Sequence, residues 1–141
     1  MKKKTNRMAI AIFLLANMLC ATVTAGAQEV KKSSLQQQAE AADAKKEVAK
    51  ARSLYIHAFN DYANKGQLRT AVECAAKATA LYYKENFYQE AFDLLRRADQ
   101  TAAASQNSPG EKAAMYYLTT KERLQMYIKM RRNVNAQEQA N

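Results

Sequence analysis

Two stretches decide the fold: YANKGQLRTA at residues 62–71 and YYKENFYQEA at residues 82–91. In each, an aromatic residue (Tyr62, Tyr82) is followed at +4 by Gly66 or Asn86, at +6 by Leu68 or Tyr88, and at +9 by Ala71 or Ala91. Gly and Asn most readily take the left-handed conformation that ends a helix. The Tyr closes one helix against its partner. The Ala is small enough to let the next helix lie close. The phrase therefore spells helix, bend, helix, and it occurs twice. A fainter copy stands near the end of the chain at Tyr127, Arg131, Asn133 and Ala136.

Apolar periodicity extends outward from these bends. Leu54, Tyr55, Ala58, Phe59 and Tyr62 share one helical face, which stops at Asn64-Lys65-Gly66. A second helix is predicted from about Gln67 to Glu85 through Leu68, Ala71, Val72, Ala75, Ala78, Thr79 and Tyr82. A third runs from about Phe87 to Ala104 through Tyr88, Ala91, Phe92, Leu95 and Ala98. The fourth has the clearest start, with Ser108 as N-cap, Pro109 at the first helical position and Glu111 completing a capping box. Its expected inner face is Ala113, Tyr117, Leu124, Tyr127 and Ile128, ending near Arg131, and residues 134–141 would open a fifth helix. No alternating β-branched run occurs. Three Gly and one Pro in 141 residues are too few for the turns of a sandwich or barrel. The expected class is all-α, built of antiparallel helical hairpins joined by links of two to four residues.

The offsets of Tyr62, Gly66, Leu68 and Ala71, with Ala78 as a second small residue, resemble the tetratricopeptide (TPR) repeat, whose period is about 34 residues. The interval from Ala71 to Ala136 is close to two such periods, whereas that from Ala71 to Ala91 is well short of one. The phase of the hairpins stays open at this point. The Trp of the repeat is absent, and no Pro closes the first hairpin. The resemblance implies a TPR-like α-solenoid of about two repeats over residues 45–136. The wording of Ala51 to Met130 is also similar to the helical-repeat sensor regions of Bacteroidetes-type two-component regulators. That similarity implies a periplasmic sensor fragment of a longer signal-transduction protein. Helical arrays usually need about three repeats, so an open apolar face is expected at the C-terminal end. More chain, a second copy or a partner would cover it.

Residues 1–27 read as an address. Lys2, Lys3, Lys4 and Arg7 precede the apolar run Met8–Leu19, and Ala25-Gly26-Ala27 offers a cleavage site. This order is that of a secretory signal peptide cut after Ala27, and the run is too short to span a bilayer. Lipidation at Cys20 is disfavoured by Asn17-Met18-Leu19 before it. Residues 28–44 read as a polar linker or the start of a helix, and 45–141 as the helical domain. An exported, periplasmic or extracytoplasmic location follows. The formal charge of +9 falls to +5 once four leader cations are removed, with 18 basic against 13 acidic side chains remaining. The rest is spread over helix faces and ends, and export takes the chain away from nucleic acid. The mature chain retains one thiol, Cys74, and no internal disulfide is expected.

No enzymatic constellation is expected. His57 reads as a helix-surface residue, Cys74 as a small buried one, and no zinc-type ligand set converges. Pairs such as Glu85/Glu90 and Asp93/Asp99 read as solvated faces, and the glycines form no phosphate loop. No catalytic residue, metal or cofactor is assigned. The most functional-looking bias is eight Tyr with no Trp. Tyr82-Tyr83 and Tyr116-Tyr117 each place two rings about 100° apart on a helix, so one of each pair is expected inside and the other outside. Tyr83 and Tyr116, with Arg131 and Arg132, are the candidate contacts to a protein or peptide partner, and the C-terminal face is a candidate for self-association. The competing expectation is a self-contained periplasmic bundle that binds a small ligand or an envelope component.

Overall fold

The computed structural model describes residues 31–140, so the leader, Cys20 and the cleavage site lie outside the described residues. Five helices follow one another: α1 (Ser34–Ala44), α2 (Val48–Asn64), α3 (Leu68–Lys84), α4 (Tyr88–Ala104) and α5 (Pro109–Ala140). No strand occurs among the described residues, and the class is all-α. The stretch 28–44, read as a polar linker or the start of a helix, turns helical at Ser34. Ser33 caps it by accepting the Gln36 amide at 3.2 Å.

The first three links have one geometry. Lys46, Gly66 and Asn86 take positive φ of 61°, 73° and 69°. Each donates its N–H to the carbonyl three residues back, at 2.9–3.2 Å. The next residue (Glu47, Gln67, Phe87) donates to the carbonyl five back, at 2.9–3.0 Å. These are the paired bonds of a Schellman end. That same residue's carbonyl then accepts from Ala51, Ala71 or Ala91, the first amide of the following helix to be satisfied this way. The backbone alone closes one helix and opens the next, so α2, α3 and α4 need no side-chain N-cap and have none.

These bends settle the phase: each unit is one helix and one bend. Left-handed residues stand at 46, 66 and 86, fully buried alanines at 51, 71 and 91, and α2, α3 and α4 are each 17 residues long. A hairpin takes two units, from position 46 to position 86, which exceeds the TPR period of about 34 residues. The first copy of the phrase, Ala42, Lys46, Val48 and Ala51, is disguised in the sequence because Ala replaces Tyr and Lys replaces Gly. The fainter copy at Tyr127–Ala136 is not a bend. Arg131 stands where Gly or Asn would be, α5 continues unbroken to Ala140, and no fifth segment opens at 134. Asn133 instead donates to Asn86 Oδ1 at 3.1 Å and to the Tyr88 hydroxyl at 2.8 Å, holding the helix against the α3–α4 bend.

α1 packs on α2, α2 on α3 and α3 on α4, while α5 lies against both α3 and α4. α3 is therefore flanked on three sides. Its alanines at 71, 75, 76 and 78, with Cys74 and Thr79, are all buried, and their small size lets three helices approach one axis. Tyr62 ties α1 down: its hydroxyl accepts from the Ser33 amide at 2.6 Å and donates to Gln36 Oε1 at 2.7 Å. Arg52 stacks on the Tyr82 and Phe87 rings and pairs with Glu85, joining α2 to the α3–α4 bend. The fourth link differs from the others. Ser105 is extended, and Ser108 and Glu111 form the expected capping box through mutual bonds of 3.3 Å.

Candidate interaction surface

α5 is apolar on two opposite sides. One side enters the bundle through Met115, Thr119 and Met126, all fully buried, with Leu118 and Met130 packed partly behind them. The other side carries Tyr117, Leu124 and Ile128, which remain 68%, 58% and 38% exposed. At 100° per residue these three fall within about 40° of one another. The face expected to be the inner one is thus the outer one. Two stripes offset by half a turn both satisfy helical spacing, and the Met stripe won because Met115 and Met126 fit between α3 and α4.

Cations border the outer row. Lys121, Arg131 and Arg132 are exposed and pair with no carboxylate among the described residues. The other basic residues of this stretch are occupied. Arg123 pairs with Asp99 at 2.6 Å, and Lys129 Nζ donates to the Tyr83 carbonyl at 2.8 Å and to that of Lys84. The last two contacts place a positive charge at the carbonyl end of α3, where the helix dipole favours it. Tyr127 is exposed but leans on Phe92 of α4, ring centroids 5.5 Å apart, and forms a shoulder beside the row.

The two Tyr pairs do not divide as expected. Tyr82 and Tyr83 are both partly buried, and Tyr83 donates its hydroxyl to Glu122 of α5 at 3.0 Å. Burial, with the Glu122 charge beside it, pushes the Tyr83 phenol up to about 12. Tyr83 is thus a joint between α3 and α5, not a free contact. Tyr116 and Tyr117 are both exposed. Among the repeat residues, Tyr62, Ala71, Ala78 and Ala91 are buried. Leu68, Tyr82 and Tyr88 are half-buried, and Gly66 and Asn86 make the bends.

Potential reactive groups are dispersed. Cys74 is fully buried, and desolvation pushes its thiol up to about 11, so little thiolate exists near neutrality. His57 is exposed on α2. Glu85, Asp93 and Asp99 each pair with a different arginine. Among the described residues no three His, Cys, Asp or Glu side chains come together, and no helix is long and apolar enough to cross a membrane. One open cleft of about 370 Å³ lies between α2 and α4, where Arg97 covers the Phe59 ring and donates to Asn60 Oδ1 at 2.8 Å.

Comparison with protein families, with curated proteins and with solved structures finds no match.

Proposed function

We propose that the chain is an exported, non-catalytic helical-repeat module that binds another protein, in the manner of the TPR-like sensor regions of two-component regulators. The observation that carries this reading is the outer row of α5. Tyr117, Leu124 and Ile128 leave a row of apolar side chains in water on the last helix of the stack, whereas α3 keeps its apolar side chains under three neighbouring helices. Exposed apolar strips bordered by polar residues mark interaction sites. The leader-like order of residues 1–27 supports the extracytoplasmic half of the proposal.

The test is placement of a photo-crosslinking amino acid at position 117 or 124, with position 53 on α2 as an exposed control. Crosslinks to a discrete protein from 117 and 124, and none from 53, are the expected result. Equal labelling from all three positions overturns it. Amino-terminal sequencing of the chain from the cell envelope is expected to begin at Gln28, and an intact Met1 on cytoplasmic protein overturns export.

The second reading, a bundle holding a small ligand or envelope component, is favoured by the α2–α4 cleft and its polar lining of Asn60, Asn64, Arg97 and Gln100. Arg97→Ala would abolish such binding while leaving crosslinks from position 117 intact.

A further inference from the structure

Resting on that reading, we propose that the partner seated on α5 is an acidic amphipathic helix, held by the apolar row Tyr117, Leu124 and Ile128 and by the flanking cations Lys121, Arg131 and Arg132.

The shape of the site comes first. Tyr117, Leu124 and Ile128 stand at i, i+7 and i+11, a single ridge about 16 Å long at the rise of an α-helix. Apolar side chains at such spacing are how one helix meets another. The shoulder formed by Tyr127 against Phe92 gives the ridge a side wall toward α4. A helix laid there would continue the existing stack, in which each helix already lies against its predecessor.

Charge then selects the partner. From Ala113 to Arg132 the outward side of α5 carries cations and no carboxylate. Glu111 is engaged in the helix cap and Glu122 in the Tyr83 contact, and both lie more than a quarter-turn from the row. A second copy would bring six cations to one seam with no acid among them, which like-charge repulsion opposes. A membrane surface would meet a wider apolar face, since Tyr116, Tyr127 and Val134 are exposed to one side of the row, and the vesicle arm of the test separates it from a helical partner. Acidic side chains flanking an apolar stripe complement both features of the surface.

The experiment uses the purified chain and two synthetic helical peptides of about five turns. Both have Leu at i, i+4, i+7 and i+11. One has Glu on both flanks and the other has Lys. Fluorescence anisotropy is expected to show binding of the Glu peptide, weakening with salt, and roughly tenfold or weaker binding of the Lys peptide. Leu124→Ser with Ile128→Ser is expected to lose binding without loss of helicity, since both side chains are exposed. Charge reversal by Lys121→Glu, Arg131→Glu and Arg132→Glu is expected to invert the preference toward the Lys peptide. The same charge change at Lys45, Lys50 and Lys65, on α2 and the bends before and after it, is expected to leave it unchanged. Absence of Glu-peptide binding, equal binding of the two peptides, or preference retained by the α5 reversal overturns the proposal. So does a row-dependent dimer in sedimentation, or row-dependent binding to phosphatidylglycerol vesicles in place of the peptide. If positions 117 and 124 still crosslink to a protein while the acidic peptide fails, the partner chemistry is wrong and the module reading stands.

Discussion

α3 buries Ala71, Val72, Cys74, Ala75, Ala76, Ala78, Thr79 and Leu81 within 17 residues, whereas α5 fully buries only Met115, Thr119 and Met126 within 32. Both helices are apolar on more than one side. α3 uses small residues and is enclosed by α2, α4 and α5. α5 uses large residues and is enclosed on one side only. Small side chains on several faces mark a helix that others crowd around. Large ones on two opposite faces leave one of those faces in water when only one side is covered.

Substitutions two residues apart sharpen this contrast most. Met126→Ala is expected to cost about 2–5 kcal/mol, the usual range for emptying a buried Met site. Leu124→Ala is expected to stay within about 0.5 kcal/mol, as exposed positions do. Urea titration followed by circular dichroism measures both, and equal losses would show that the outer row is covered within the monomer. Overpacking gives the next effect. Ala78→Leu in α3 is expected to cost about 1–3 kcal/mol, while Ala113→Leu on the exposed side of α5 is expected to change thermal stability little.

The bends yield smaller, opposite-signed effects. Gly66 has φ of 73° with open space around its Cα, so Gly66→Ala meets no clash and costs only the left-handed backbone penalty, about 1 kcal/mol. Lys46 already bears that penalty, and Lys46→Gly is expected to stabilise by about 0.5–1 kcal/mol. A rise in melting temperature for the first and a fall for the second would refute the equivalence of the two bends.

The smallest effect is a pH dependence. Glu40 on α1 accepts from Lys32 at 2.8 Å and from Lys77 of α3 at 3.0 Å, and these cations, Lys32 foremost, hold its carboxyl near 2. Its folded value lies below its unfolded one. The stabilisation is therefore present above the ordinary value near 4.5 and is lost as pH falls from there toward 2. The pair is partly solvated, so the expected size is below about 1 kcal/mol. Glu40→Gln should flatten the acid limb of stability against pH by lowering neutral stability by that amount, below about 1 kcal/mol, while leaving stability near pH 2 almost unchanged.

The amino-acid order made the class, the ends of α2, α3 and α4, and the Ser108–Glu111 cap legible, because bends and caps are local chemistry carried by Gly66, Asn86 and Ser108. It did not disclose the Lys46 bend, since a Lys in the left-handed region is specified by the helices on either side and not by its own preference. Nor did it disclose which side of α5 faces inward. Tyr117, Leu124 and Ile128 are as apolar as Met115, Leu118 and Met126, and only the gap between α3 and α4 decides between the two stripes. Tyr83 shows the same limit, because its hydroxyl partner Glu122 lies 39 residues away. The repeat period was visible as the interval from Ala71 to Ala91, and a search for buried Ala at that spacing would have found Ala51.

The reach of α5 back to the α3–α4 bend has a kinetic consequence. From α1 to α4 each helix rests mainly on the unit just before it, and such near-sequence contacts close short loops at low entropic cost and form rapidly. The Lys129 contacts to the Tyr83 and Lys84 carbonyls and the Asn133 contacts to Asn86 and Tyr88 close longer loops. This difference in contact separation predicts that α5 docks after the earlier units have assembled. In rapid-mixing refolding, substitutions at Lys129 and Asn133 would chiefly accelerate unfolding, while substitutions at the 46, 66 and 86 bends would alter the refolding rate itself.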